Sequence, residues 1–199
     1  MKKLILATKN AGKVDELKAL LIHYDVEVLS LLDLGYEPEI EETGTTFEEN
    51  ALIKARTIAK EYGLLTIADD SGLEIDALDG KPGVYSAVYA GELKDDMANM
   101  NKVLSEMKNV PEAKRTARFR CTLVIVDEGG QEQLVHGTCE GLILNEGRGS
   151  NGHGYDPIFY VPEVGQTMAE MTGAEKNTLS HRKKAFDQLE QRMETLLIS

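Results

Sequence analysis

Apolar and polar residues along the chain follow two periods, and the changes between them mark out the elements. Short apolar or alternating runs at 2–7, 26–29, 64–68, 73–77, 117–126 and 133–144 predict β-strands. Apolar positions three and four apart predict helices over about 11–22, 47–62, 96–107 and 177–197. In the second helix the stripe is Ala51, Leu52, Ala55, Ile58, Ala59 and Tyr62. Thr45 or Thr46, ahead of Phe47-Glu48-Glu49, supplies an N-cap with acids in the first turn, where the helix dipole favours them. The last helix gathers Leu179, Phe186, Leu189, Met193 and Leu196 on one packing face. Strands and helices alternate through the first 80 residues, and 117–126 with 133–144 reads as an antiparallel pair turned at Glu128-Gly129-Gly130. That mixture predicts an α/β fold with a mixed β-sheet. The 199 residues suffice for one domain with a proper core, or two lobes sharing one. With no repeat, low-complexity tract or Pro/Ser-rich linker, residues 1–199 read as a single domain.

Charge narrows the partners. The 34 acids outnumber the 22 bases for a net charge of −12, a surface that repels nucleic acid, which is bound by neutralising backbone phosphates. A small anion in one locally basic place remains compatible with it. No apolar run approaches the ~20 residues that span a bilayer. Met1-Lys2-Lys3 is followed only by Leu4 to Ala7 before polar residues return. A signal-peptide core needs roughly 7–15 apolar residues, so the expectation is a cytoplasmic protein with no membrane partner. Cys121 and Cys139 lie in separate strand-like runs without C-x-x-C spacing, and read as reduced, partly buried thiols.

Five stretches carry candidate chemistry. Leu6 to Leu17, LATKNAGKVDEL, has the strand–turn–helix layout of a P-loop. Yet Ala7 replaces the first glycine of G-x-x-x-x-G-K-[ST], and Val14 stands where the magnesium-binding hydroxyl belongs. Ile67-Ala68-Asp69-Asp70-Ser71-Gly72 reads as a strand ending in two adjacent carboxylates. Adjacent buried acids repel and must each be desolvated, a conflict that a hard cation resolves. The same string reads equally as a solvated Asp-Ser-Gly turn. Glu41-Glu42-Thr43-Gly44 is a second acidic turn, and Asn50 and Lys54 stand one helical turn apart after it. The glycine-dense segment 147–154 is a loop that lets a ligand approach the backbone, and it runs into rings at His153 and Tyr155 on which a base could stack. Lys176 to Lys184 is a basic run in an acidic protein, able to serve either as part of an anion site or as a solvated helix start, with Lys183 and Lys184 facing solvent.

Taken in order, these motifs resemble the inosine triphosphate pyrophosphatase family. The matching stretches are Thr8-Lys9-Asn10 with Gly12-Lys13; Glu41-x-Thr43-Gly44-x-Thr46-Phe47-x-Glu49-Asn50-Ala51; Ala68-Asp69-Asp70-Ser71-Gly72-Leu73; Pro82-Gly83-Val84-Tyr85-Ser86-Ala87; Gly154-Tyr155-Asp156-Pro157-Ile158-Phe159; and Ser180-His181-Arg182. The resemblance implies an elongated mixed β-sheet flanked by helices, two lobes with an active-site cleft, and a homodimer. It implies hydrolysis of nonstandard purine nucleoside triphosphates (ITP, dITP, XTP) to the monophosphate and pyrophosphate, with one or more Mg²⁺ per subunit. Carried over residue by residue, Glu41 and Asp70 match the metal ligands. Asp70 also matches the group that activates water, with Asp69 assisting. Thr8, Lys9, Asn10, Ala11, Gly12 and Lys13 match the triphosphate-binding turn, Lys54 a phosphate contact and Ser71 a further substrate contact. His153, Gly154, Tyr155, Asp156, Lys176, Ser180, His181 and Arg182 match the base pocket. One departure is His153, where the family usually has a stacking Phe; imidazole is smaller, polar and titrates near pH 6.5. Lys176 and Arg182 can only donate, which suits the 6-oxygen of hypoxanthine and xanthine and mismatches the 6-amine of adenine. Two other readings stay open: a related pyrophosphatase acting on pyrimidine or modified nucleotides, and a nucleotide-sensing module without turnover. A P-loop kinase or ATPase is excluded by Ala7 and Val14.

Overall fold

The computed structural model describes residues 1–198, with side chains at all of them except 194, 197 and 198. Its strands are β1 (Lys2–Leu6), β2 (Val26–Ser30), β3 (Leu65–Ile75), β4 (Thr116–Val126), β5 (Glu132–Ile143), β6 (Phe159–Val161) and β7 (Gln166–Thr167). They form one sheet in the order β2-β1-β3-β4-β5-β6-β7. β1 runs parallel to β2 and β3, while β6 is antiparallel to β5 and β7, so the sheet is mixed. The helices are α1 (Ala11–Leu21), α2 (Phe47–Tyr62), α3 (Asp96–Glu106), α4 (Gly173–Leu179) and α5 (His181–Ile198). The chain divides into two compact units. The first holds Met1–Asp70, Cys121–Gly137 and the chain from Lys183; the second holds Ser71–Arg120 and Thr138–Arg182.

In the first unit the sheet is buried on both faces, which explains its unbroken apolar strands. Leu4, Leu6, Leu65, Ile67, Leu123 and Ile125 pack with Leu17 and Leu21 of α1 and with Phe186, Leu189, Met193 and Leu196 of α5. Their neighbours Ile5, Ala7, Ala68, Val124 and Val126 pack with Ala51, Ala55 and Ile58 of α2. Strand side chains point alternately to either side, so one run of sequence feeds both clusters. Thr46 caps α2 by accepting the Glu49 N–H. Gly63, at φ 64°, closes it in the left-handed conformation that glycine adopts at little cost. The second unit packs Leu73, Ile75, Met100, Val103, Phe119, Tyr155, Phe159 and Met168 into its own core. There the buried Arg115 donates to the carbonyls of Ile143, Met107, Val110 and Leu144. Its guanidinium fork thereby satisfies backbone groups that burial would otherwise leave without water. Cys121 and Cys139 are buried thiols not joined in a disulfide, in line with the spacing argument.

Two expectations change. The runs 64–68 and 73–77 are not separate strands but the two ends of β3, which continues through Asp69-Asp70-Ser71-Gly72. Turn-forming residues lose to tertiary context here, because both acids are buried and partnered inside the sheet. The helix expected over 177–197 is two helices broken at Ser180, whose backbone is extended at φ −63° and ψ 154°. Leu179 therefore leaves the stripe of the last helix and packs in the second unit's core. The start of α4, a capping box between Thr172 and Glu175, and the short strands β6 and β7 went unpredicted.

Truncating Phe186 to alanine removes a ring from the α1–α5 cluster. It is expected to lower unfolding free energy by about 3–5 kcal/mol in urea titrations. Lys184→Ala, on an exposed position of the same helix, should stay within about 0.5 kcal/mol of wild type.

Candidate active site

In the first unit the candidate residues gather around the end of β1 and the middle of β3. Beyond β1, Thr8 and Asn10 form the turn into α1: the Asn10 N–H donates to Thr8 Oγ1 at 3.1 Å. Asn10 Oδ1 then accepts the Lys13 N–H at 3.1 Å and caps the helix. The cap leaves most backbone N–H groups of the first turn, Ala11 and Gly12 included, without helical acceptors, the standard arrangement for receiving an anion. Lys13 reaches from α1 to Asp69, Nζ to Oδ2 at 2.9 Å, with Asp69 only 1% exposed. Lys54 reaches from α2 to Glu42 at 2.6 Å and lies 4.0 Å from Asp70. The two adjacent acids are therefore served from different helices. Leu65 and Ile67, which alternate with Asp69, face the α1–α5 cluster, and Ala68, which precedes Asp70 by two, faces α2. The pleat separates the carboxylates, and each receives its own ammonium.

Electrostatics follow from that placement. Burial pushes the Asp70 carboxyl up to about 6; Lys54 and Lys13 oppose the rise, while Glu42 and Asp69 add to it. Burial works against the charge on Lys54, and the charges of Asp69, Glu42 and Asp70 overcome it, so its pKa ends above the ordinary value. Asp70 Oδ2 is buried with no hydrogen-bond partner. An anionic oxygen without a donor is costly to bury, and it suits a hard cation or a ligand proton. Among the described residues no three His, Cys, Asp or Glu side chains are gathered as a metal site. Glu41, expected beside Asp70, stands exposed in its turn, while its neighbour Glu42 is the acid paired with Lys54. Lys9, expected on the triphosphate, donates instead to the carbonyls of Glu37 and Pro38 and to Glu39.

In the second unit a distinct set forms around the loop 147–156. Asp156 is its hub: one carboxylate oxygen accepts from Lys176 Nζ at 2.8 Å and from the His153 N–H at 3.1 Å. Gly152 sits at φ 75°, and a Cβ there would lie 2.1 Å from that same oxygen, so only glycine lets the loop close on Asp156. His153 stands at the loop's tip, partly open to solvent. Its pKa is lowered, chiefly because the surroundings strip water from it; Lys176 and Arg182 push the same way, and Asp156 and Asp96 oppose them. The lowered pKa favours the uncharged ring, the form suited to stacking on a base. Arg182 donates to Ser71 Oγ at 3.0 Å. His181 is buried and stacked on Phe119, centroids 5.0 Å apart. Ser180 is fully buried at the break between α4 and α5. The Tyr155 ring is core, and its hydroxyl donates to the Ser86 carbonyl at 2.6 Å. Of the residues expected to hold a base, the structure thus brings His153, Asp156 and Lys176 together at the loop, and sets Tyr155 and His181 in packing positions beneath.

Sequence reasoning assigned no individual role to Glu42, Asp96 or Asn151. Asp96 accepts the Gly154 N–H at 2.9 Å. Asn151 donates to the Met171 carbonyl at 2.9 Å, so both brace the loop. Beside it lies a cavity of about 180 Å³ lined by Met97, Met100, Asn151, His153 and Pro157 among others. Nothing in the local string distinguishes Glu42 from Glu41 in a turn of adjacent acids. Asp96 reads as an ordinary first-turn helix residue.

Comparison with known proteins fits this layout. Residues 4–192 match the Ham1 family. The chain is 57% identical over 189 residues to a Bacillus licheniformis protein named dITP/XTP pyrophosphatase, covering 95% of this chain and 96% of that protein. It is 53% identical over 194 residues to the Bacillus subtilis protein of the same name, covering 98% of each. The solved structure of the Staphylococcus aureus Ham1 protein superposes with a TM-score of 0.89 at 41% identity, covering 98% of this chain and 99% of that one.

The raised Asp70 pKa makes a prediction for stability in a metal chelator. The folded chain holds this proton more tightly than the unfolded one, whose carboxyl titrates near ~3.9. The resulting stabilisation is complete below the unfolded value and is lost as pH rises through about 6. Urea titrations from pH 4 to 7 should show wild type losing up to about 3 kcal/mol relative to Asp70→Asn. A flat difference over that range would contradict the assignment.

Proposed function

The chain belongs to the Ham1 family, and from that premise we propose that it hydrolyses nonstandard purine nucleoside triphosphates, ITP, dITP and XTP, to the monophosphate and pyrophosphate. The observation that carries the proposal is the pairing of adjacent buried acids with lysines from two helices, Lys13 with Asp69 and Lys54 beside Asp70. The names of relatives more than half identical supply the substrate class.

Hydrolysis between the α- and β-phosphates requires water to reach a phosphorus shielded by anionic oxygens, so charge neutralisation and positioning dominate. Lys13, Lys54 and the amino end of α1 supply positive charge for the triphosphate. Water oxygen bonds to the α-phosphorus as one of its protons passes to a carboxylate, and the bridging P–O bond breaks to release pyrophosphate. Asp70, whose pKa of about 6 lies close to working pH, is the better acceptor for that proton. Asp69, already holding Lys13, acts by orienting that ammonium. The unpartnered oxygen of Asp70 and the acidic turn Glu41-Glu42 fit Mg²⁺, a hard cation that takes a few carboxylates and keeps its other positions for water and phosphate. When bound, the ion supplies further neutralisation of the triphosphate. In the second unit Lys176, paired with Asp156, and Arg182 donate to the base's 6-oxygen, while the His153 ring offers it a stacking face. Adenine presents donors to those donors and is rejected. The reading makes the enzyme a cytoplasmic homodimer that clears deaminated purines before polymerases use them.

The test is product analysis on dITP, XTP, ATP and GTP with Mg²⁺. Pyrophosphate release from dITP and XTP, with ATP slower by about 10²-fold or more, is the expected result. Release of orthophosphate, equal use of ATP, preference for pyrimidines, or tight binding without turnover would each overturn it. Asp70→Asn is expected to reduce kcat by about 10²–10⁴-fold while circular dichroism stays that of wild type. Excess EDTA should abolish turnover, and added Mg²⁺ should restore it.

A further inference from the structure

The segment 31–46, between β2 and α2, contains no helix or strand, and it carries Glu37, Glu39, Glu41 and Glu42. Like charges so close together repel, so an ordered path needs fixed attachments. Three of its polar attachments matter here. Gly44 donates to Asn50 Oδ1 at 2.8 Å. Glu42 pairs with Lys54 at 2.6 Å. Ahead of the acidic turn, Lys9 Nζ meets the Glu37 carbonyl at 3.0 Å, the Pro38 carbonyl at 2.9 Å and Glu39 Oε1 at 3.3 Å. The same ammonium lies 5.8 Å from the centroid of the Tyr36 ring. An ammonium has three N–H donors, and three acceptors occupy them. Two of those acceptors are main-chain carbonyls, so the contact fixes the path of the backbone whatever side chains it carries.

Resting on the function proposed above, we infer that Lys9 is a positioning residue. It clamps residues 37–39 to the phosphate-binding turn and so holds the acidic turn Glu41-Glu42 where the cation is to be bound. Lys9 and Lys54 grip that turn from its two sides, one on the backbone before it and one on the carboxylate within it. Lys9 has then no donor left for the triphosphate, and the duty falls to Lys13 and the amino end of α1.

The experiment compares wild type, Lys9→Met and Lys9→Arg as full-length proteins. Amide hydrogen exchange without nucleotide is expected to quicken by about tenfold or more across 37–44 in Lys9→Met, as loss of charged hydrogen bonds of this kind implies, with α1 unaffected. Activation by Mg²⁺ at saturating dITP should shift to about tenfold higher concentration, with KM for dITP moving much less. Lys9→Arg, still cationic and able to donate to carbonyls, should recover most of both. Wild-type exchange across 37–44 in Lys9→Met would overturn the clamp. A raised KM for dITP with unaltered exchange and Mg²⁺ response would overturn it in favour of a direct phosphate contact. If wild type itself releases no pyrophosphate from dITP, the proposed function fails, and the exchange measurement still decides the clamp.

Discussion

Burying two neighbouring carboxylates is the constraint around which the first unit is built. An isolated ionised carboxylate is far too costly to bury, and two in sequence would ordinarily drive each other neutral. The strand form of the backbone resolves this by sending Asp69 and Asp70 to opposite sides of the sheet, where helices α1 and α2 cover them. Each helix then contributes one lysine, and the helix positions follow from apolar stripes that pack on either side of the same strands. The two acids end in different surroundings for the same reason. Asp69 holds the Lys13 ammonium at 2.9 Å, whereas Asp70, 4.0 Å from Lys54, has a raised proton affinity. A division of labour between identical side chains thus comes from pleat and packing.

The second unit uses a different device. Its loop is held by a carboxylate at the centre, a lysine and a backbone amide converging on one oxygen, with Asp96 and Asn151 bracing the flanks. A loop so pinned can present His153 and Lys176 in fixed positions without belonging to a helix or strand, the pattern by which irregular segments on a rigid scaffold carry binding groups.

The hydrophobic pattern made most of the fold legible, because periods of two and 3.6 report which face is buried and most elements here have a buried face. It failed where polar residues were buried: Asp69 to Gly72 mimic a turn, and only their partners, distant in sequence, reveal a strand. It also failed at Ser180, where the helical period carries across an extended residue that interrupts the helix. For the candidate site, motifs identified the acids and the basic residues, while their pairings were not readable. Lys9 shows why. As a lysine in a phosphate-turn motif it reads as an anion contact, yet its acceptors are backbone carbonyls of a loop about thirty positions on. A carbonyl has no signature in the sequence, since every residue supplies one.

The chain passes between the two units after residues 70, 120, 137 and 182, and the strands β3, β4 and β5 each contribute residues to both. This has a consequence for biosynthesis. The apolar face that β1 and α1 present early in translation is closed by α5, whose Phe186, Leu189 and Met193 are among the last core residues to be made. Domains of contiguous sequence can fold in turn as they leave the ribosome. Here the first unit must wait for residues beyond 183, with the whole of the second unit translated in between. Nascent chains would carry an uncovered α1–β1 surface for most of synthesis, a natural point for chaperone protection.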